Sequence, residues 1–348
     1  MNVELRKLTV HASADYGILI DRGLFDKAGK IIKEVSGAEK ACIITDSNVS
    51  KIYLKSLVES LEGSGFSTCS FMFNAGESSK TLQTVEGIYK FLSKNNITRT
   101  DLIVSLGGGV VGDISGFAAA TYLRGVDFIQ IPTTLLAQID ASVGGKTGVN
   151  LSEGKNLVGA FWQPKLVIID PDMLITLPQE IFIDGMSEAI KYGCIKSENL
   201  FNKISKYNNF DDIEDIIYEC VNIKCHSVEN DERDLGKRML LNFGHTIGHA
   251  LEKIEGYGGI SHGRAVAIGM AMIAELGEKK GLTEPGSSQR IINILKRFGL
   301  PFRTDAPKSE IINAIRSDKK NLGNSINLIL IRRIGEGYIY RTTPEKIF

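Results

Sequence analysis

The chain has 348 residues, enough for two domains or one large one, and 43% hydrophobic with 24% charged residues is ordinary globular composition. Lys+Arg and Asp+Glu both number 41, so the formal net charge is zero and nothing in the balance points to nucleic acid or to an acidic membrane surface. Five cysteines without a CxxC pair read as reduced thiols of a cytoplasmic protein, and neither a signal-peptide core nor a membrane-length apolar run is visible.

Residues Leu8–Ile20 alternate as short strands around an Ala-Asp-Tyr-Gly turn. The run Lys40–Thr45 is an apolar strand that stops at Asp46-Ser47-Asn48, and a helical pattern follows through Leu61. Phe71–Phe73 is a second short strand, ending in Ala75-Gly76-Glu77-Ser78-Ser79-Lys80 ahead of a helix over Thr81–Ser93. A third unit runs from Asp101–Leu106 through Gly107-Gly108-Gly109-Val110-Val111-Gly112-Asp113 into a small-residue helix, Ile114–Tyr122. Phe128–Ile131 and Leu166–Ile169 are two more buried strands. Strands alternating with helices predict a parallel, doubly wound sheet, in which ligands sit beyond the carboxyl ends of the strands. All three polar loops fall there.

Gly107, Gly109 and Gly112 fit G-x-G-x-x-G straight after a strand. Glycines there let backbone N–H groups approach a pyrophosphate at a helix N-terminus. The acidic partner of that fingerprint is either Asp127, by spacing, or Asp46, off a neighbouring strand. Gln138–Asn156 is polar and glycine-rich, and its length without periodicity suggests an anion-binding loop.

After Asp170-Pro171 the texture changes to helices: Gln179–Cys194, Leu200–Tyr207, Ile213–Val228, Thr246–Ile254, Gly263–Lys280 and Ser288–Phe298. A late hairpin joins Ile326–Arg332 to Gly337–Arg341. The fold class is therefore α/β: a doubly wound nucleotide-binding domain over residues 1–174, then a mainly α-helical metal- and substrate-binding domain over residues 175–348.

Asn242–His262 holds three of the five histidines. His245 and His249 are four apart on one helix face, and a glycine-rich turn can return His262 to them. Neutral imidazoles so grouped suit a divalent transition metal, often completed by a carboxylate. Glu188 and Lys191, three apart on a helix, read on their own as a surface ion pair.

Taken together, AGESSKT, SLGGGVVGDISGFAAATYLRG, IPTTLLAQIDASVGGKTGVN, GKNLVGAFWQP, GMSEAIKYG, DERDLGKRMLLNFGHTIGHALE, HGRAVAIGM and DKKN closely resemble the 3-dehydroquinate synthase family over nearly the whole chain. The resemblance implies tightly held NAD, one divalent metal (zinc or cobalt) and a homodimer. It further implies conversion of 3-deoxy-D-arabino-heptulosonate 7-phosphate to 3-dehydroquinate and phosphate, by transient oxidation, phosphate elimination, re-reduction and intramolecular aldol closure. Neither a nucleic acid nor a membrane is an expected partner.

Carried over residue by residue, the resemblance makes Glu188, His245 and His262 the metal ligands and His249 a nearby polar residue. It places Asp46 and Asn48 on the adenosine side of NAD, with Glu77 and Lys80 as further contacts. Gly108, Gly109 and Asp113 fall on the pyrophosphate loop, and Thr133, Thr134 and Thr176 are other cofactor positions. Arg124, Asp140, Lys146, Lys155, Asn156, Lys191, Lys224, Arg238 and Asn242 match residues holding the substrate, Lys146 and Lys155 reaching the cofactor as well. One of Lys319 and Lys320 joins them. Ser187 stands where the family more usually has Ala.

Overall fold

The computed structural model describes residues 5–256, 259–316 and 325–347. They form two compact units: Met1–Leu177 with Lys224–Arg233, and Pro178–Ile223 with Asp234–Phe348. The sequence boundary at residue 174 lies close to the break at Leu177. Lys224–Arg233, assigned by sequence to the second domain, instead belongs with the first unit. One reason is visible in Glu232, whose carboxylate accepts hydrogen bonds from Ser13 and Gln163.

The first unit is built on a seven-stranded sheet. Its strands are β1 (Arg6–Val10), β2 (Tyr16–Ile20), β3 (Lys40–Asp46), β4 (Ser67–Phe73), β5 (Leu102–Gly107), β6 (Asp127–Pro132) and, after a separate hairpin of β7 (Lys146–Leu151) and β8 (Gly154–Phe161), β9 (Leu166–Ile169). The order is β1-β2-β9-β6-β5-β3-β4, parallel except where β1 pairs β2. The helices are α1 (Ala28–Val35), α2 (Lys55–Gly63), α3 (Leu82–Lys94) and α4 (Gly109–Thr121).

Both sheet faces are covered, which is why β5 is buried along its full length. Ile43, Val104, Leu106 and Ile129 share one core with Ala28, Ile32, Leu57 and Leu61 of α1 and α2. The alternate residues Cys42, Ile44, Ile103 and Phe128 share the other with Val85, Ile88, Ile114 and Phe117 of α3 and α4. The period-two alternation of a strand sorts these side chains between the layers.

Two sequence expectations change here. The segment Gln138–Asn156 is not an irregular loop: much of it is the β7–β8 hairpin, lying against α4 where Thr147 takes the place a side chain on Gly116 would fill. Alternating burial is weak in so glycine-rich a stretch, so its period of two was not visible in the sequence. The third helix also begins five residues early, at Gly109, because the glycine-rich run is mostly its first turn.

The second unit is mainly helical. It contains α5 (Gln179–Lys196), α6 (Glu198–Lys206), the first part of α7 (Ile213–Asn230), α8 (His245–Ile254), α9 (His262–Lys279), α10 (Ser287–Arg297), α11 (Lys308–Arg316) and the hairpin β10 (Ile326–Arg333) with β11 (Glu336–Thr342). The run Gly185–Ile195 of α5 is buried without a break. Glycines set the spacing: a Cβ on Gly263 would lie 2.1 Å from Asp184 O, and one on Gly269 2.0 Å from Gly244 O. Such contacts allow α9 to approach both α5 and the turn that opens α8. Helix α11 was not anticipated from the sequence. No helix of the described residues is long and apolar enough to cross a membrane.

Candidate functional site

In the first unit the carboxyl ends of the strands line up. Thr45 of β3 is level with Leu106 of β5, and Gly107 with Pro132 of β6. Strand β3 connects to β4 on one side, and the chain then returns to β5 on the other. The sheet therefore has its topological switch point between β3 and β5, where α/β sheets open a ligand crevice. Asp46 closes β3 on one side of it, and Gly107-Gly108 close β5 on the other.

Local physics shapes this edge. The Asp46 carboxylate accepts from the backbone N–H of Asn48 at 2.8 Å and of Val49 at 3.0 Å, fixing the loop that carries both expected adenosine-side residues. Gly108 precedes α4 with no side-chain cap, so the first N–H groups of a thirteen-residue helix are left for a ligand. Thr133 donates its backbone N–H to Gly107 O at 3.0 Å, while its buried hydroxyl has no hydrogen-bond partner among the described residues. The Thr134 hydroxyl accepts from Ala137 N–H, and that of Thr176 bonds the Tyr53 hydroxyl. A buried orphan hydroxyl beside uncapped helix N–H groups fits a dinucleotide phosphate. Asp127 does not: it opens β6 at the opposite, amino edge and pairs with Lys165 at 2.6 Å. Of the two acids left open by the sequence, Asp46 lies at the crevice and Asp127 at the opposite edge.

A polar network extends along the same edge. The Lys80 ammonium pairs with Asp113 and donates to Asn156 Oδ1 at 2.5 Å. Burial pushes the Asp113 carboxyl up, against the opposing pull of Lys80. Asn150 donates to Glu77 Oε1 at 2.6 Å and its own amide oxygen accepts from Asn156 N–H at 2.9 Å. These bonds fasten the β7–β8 hairpin to the Glu77–Lys80 loop and hold Asn156 at φ 55°. Lys224 pairs with Asp140 at 2.5 Å. Lys146 is exposed at the start of β7, and Lys155 is half-buried on β8. Arg124 stands apart. It lies past the far end of α4, about 20 Å from the glycine loop at ~1.5 Å per residue, and the next residue, Gly125, packs against Trp162 beyond β8.

In the second unit, Glu188 on α5, His245 at the start of α8 and His262 at the start of α9 have ligand atoms within 4.8 Å of one another. Glu188 Oε1 lies 3.6 Å from His245 Nε2 and 3.7 Å from His262 Nε2. Gly244, at φ 81°, makes the turn that aims His245, and a Cβ there would meet Met270 and the Val266 carbonyl at 2.7 Å. His245 Nδ1 faces Phe243 O at 3.2 Å; a carbonyl only accepts, so Nδ1 carries the proton and Nε2 keeps its lone pair. Burial, reinforced by Lys191 and the other two imidazoles, holds His245 well below the usual histidine range. Burial also pulls His262 down, but the Glu252 hydrogen bond and the charges of Glu188 and Glu252 outweigh it and leave His262 raised.

The Glu188–Lys191 pair is not on the surface, as its spacing alone suggested. Both side chains are buried and paired through Glu188 Oε2. The other oxygen, Oε1, is buried without a hydrogen-bond partner. An unsatisfied buried carboxylate oxygen is costly, and a cation held with the two Nε2 atoms would satisfy it. Two imidazoles and one carboxylate are also a common donor set for catalytic zinc. The residues therefore fit a divalent metal. His249 is exposed, its ring 5.4 Å from that of His245, and Arg238 is buried. Asn242 closes the short turn before Phe243. Lys319 and Lys320 lie outside the described residues.

Sequence reasoning passed over Glu252 on α8, a buried acid against His262. Its spacing of seven from His245 was a signal that could have found it.

Comparison with known proteins agrees with this architecture. The family model described as 3-dehydroquinate synthase N-terminal matches residues 70–184, and that for the C-terminal part matches residues 185–321. The 3-dehydroquinate synthase of Clostridium perfringens (strain SM101 / Type A) is 52% identical over 335 residues, 95% of this chain and 96% of its own. Among solved structures, a 2-deoxy-scyllo-inosose synthase complexed with carbaglucose-6-phosphate, NAD+ and Co2+ superposes with a TM-score of 0.88 at 25% identity, covering 98% of each chain. The 2-epi-5-epi-valiolone synthase of Streptomyces hygroscopicus subsp. jinggangensis 5008, with NAD+ and Zn2+ bound, gives the same TM-score and identity over 98% of this chain and 96% of its own. With family models over most of its length and relatives near half identity, the chain belongs to the 3-dehydroquinate synthase family.

Proposed function

We propose that the chain converts 3-deoxy-D-arabino-heptulosonate 7-phosphate to 3-dehydroquinate and phosphate, as an NAD- and divalent-metal-dependent carbon–oxygen lyase of the shikimate pathway. The observation that carries the chemistry is the unsatisfied Glu188 oxygen facing two imidazole nitrogens. When bound, NAD accepts and later returns a hydride while the metal polarises the oxygen undergoing oxidation.

The chain's own residues hold and orient. Glu188, His245 and His262 are assigned to the metal. Asp46 and Asn48 serve the adenosine side, Gly108, Gly109 and the N–H groups opening α4 the pyrophosphate, with Thr133, Thr134 and Thr176 beside them. Glu77, Lys80 and Asp113 form the polar wall fastened to the β7–β8 hairpin. Lys146, Lys155, Asn156, Lys191, Lys224, Arg238, Asn242 and His249 are assigned to the substrate's carboxylate, hydroxyls and phosphate. A substrate with two anionic groups needs such cations, and two of them arrive already oriented, Lys224 by Asp140 and Lys191 by Glu188. Positioning by fixed charges supplies much of the rate.

The homodimer is what the resemblance implies for the assembly, and Arg124 is assigned to the substrate with the residues above. A phosphorylated, multiply charged substrate does not cross membranes unaided, which supports a cytoplasmic site of reaction.

The test mixes purified protein, NAD, zinc or cobalt and the heptulosonate phosphate, and follows phosphate and NADH absorbance together. Phosphate release without lasting NADH is the expected result. Stoichiometric NADH without phosphate would make the chain a dehydrogenase. Turnover of sedoheptulose 7-phosphate or glucose 6-phosphate in preference would assign it a different carbocycle.

A further inference from the structure

We propose that Glu252 is a positioning residue of the metal centre: it fixes the tautomer and direction of His262 and commits that imidazole to the Glu188–His245 grouping. This rests on the metal-ligand assignment above and deepens it.

Glu252 lies seven residues after His245, two turns along the same face of α8. It is 5% exposed, and its Oε2 is 3.3 Å from His262 Nδ1. A buried carboxylate is costly to hold where an apolar side chain would pack, so its place beside one nitrogen of one ligand calls for a chemical reason. A carboxylate only accepts. Nδ1 of His262 therefore carries the proton, and Nε2 presents its lone pair toward Glu188 Oε1, 3.7 Å away. For His245 the same task falls to the neutral Phe243 carbonyl, at 3.2 Å. The two imidazoles are thus backed unequally, and the full negative charge behind His262 makes it the more basic ligand.

A second grouping sharpens the point. The ligand atoms of His249, Glu252 and His262 also lie within 4.8 Å of one another, sharing His262 with the first cluster. A cation there would compete with the proton for the Nδ1 side of the ring. By taking up the Nδ1–H, Glu252 leaves Nε2 as the free donor and so selects one of two overlapping positions.

The experiment is a chelator-competition titration of Co2+ into the metal-stripped full chain, with the visible cobalt spectrum recorded at saturation. Glu252→Ala should weaken Co2+ by about 10–100-fold and alter the spectrum. Glu252→Gln, which keeps an oxygen acceptor without the charge, should fall between. In a His262→Ala background, Glu252→Ala should add little. Unfolding of the metal-free variants, followed by circular dichroism, separates folding from binding. Unchanged affinity and spectrum in Glu252→Gln and Glu252→Ala would overturn the proposal, as would an equal loss with and without His262. Failure of the unaltered chain to bind Co2+ would instead overturn the ligand assignment, and this proposal with it.

Discussion

The Lys80 ammonium sits 2.5 Å from the amide oxygen of Asn156 while pairing with the Asp113 carboxylate, so one buried cation joins the loop after β4, the first turn of α4 and the β8 strand. Removing it leaves Asp113 without its counter-charge. A buried pair broken from one side costs ~3–5 kcal/mol, and Asp113 retains 23% exposure, so Lys80→Met should destabilise the chain by about 2–4 kcal/mol. Asp113→Asn in the same chain should recover part of that loss. Urea denaturation of the two single variants and the double variant measures the coupling, and simple additivity would show that the pair is not the cause.

Gly112 tests a different contact. A Cβ there would meet the Gln130 side-chain oxygen at 2.7 Å, and Gln130 is already engaged by donating to Ser142 O at 3.2 Å. The third glycine of the fingerprint thus sets how closely α4 lies on β6. Gly112→Ala should cost about 1–3 kcal/mol by overpacking and weaken NAD as α4 shifts. Unaltered stability and NAD affinity by calorimetry would show that Gln130 gives way freely.

These contacts mark where the sequence was legible. The parallel sheet could be read because β3, β5, β6 and β9 are short apolar runs ending in polar loops, a pattern fixed by burial on both faces. The histidine-bearing segment could be read from the four-residue spacing of His245 and His249. The spacing could not say which histidines converge, because that depends on Gly244 and Gly263, which set the approach of α8 and α9 to α5. The buried state of Glu188 and Lys191 was invisible for the same reason: three-residue spacing is equally common on a solvated face. The β7–β8 hairpin escaped because its pairing is secured by long-range bonds from Asn150 and Asn156 to the Glu77–Lys80 loop, not by local pattern. Family resemblance supplied Glu188, which local reasoning alone had set aside.

Glu232 carries a pH dependence. Burial alone would raise its carboxyl, but hydrogen bonds from Ser13 and Gln163 and the charge of Arg233 outweigh it and leave the folded value below the ordinary 4.5. A group depressed in the fold adds stability above its unfolded pKa and loses it as pH falls through the folded value. Glu232→Gln should therefore cost about 1 kcal/mol at pH 7, discounted for its partial exposure, and progressively less below pH 4.5. Urea midpoints at pH 7 and in strong acid give the comparison. An equal penalty at both would mean that shape, not charge, holds Ser13 and Gln163.

The histidines separate ligand from neighbour. His245 offers Nε2 toward Glu188 Oε1 at 3.6 Å, whereas His249 is exposed and its nearest acidic grouping runs through Glu252. His245→Ala should lose metal by more than the ~100-fold that an outer partner is worth, and turnover with it. His249→Ala should keep Co2+ affinity within about threefold yet lower turnover, since the resemblance puts it beside the substrate and outside the ligand set. Metal content after dialysis and the cobalt spectrum decide between the two. Metal loss in His249→Ala with retention in His245→Ala would move the cation to the His249–Glu252–His262 grouping and overturn the assignment of Glu188, whereas equal loss in both would overturn the placing of His249 outside the ligand set.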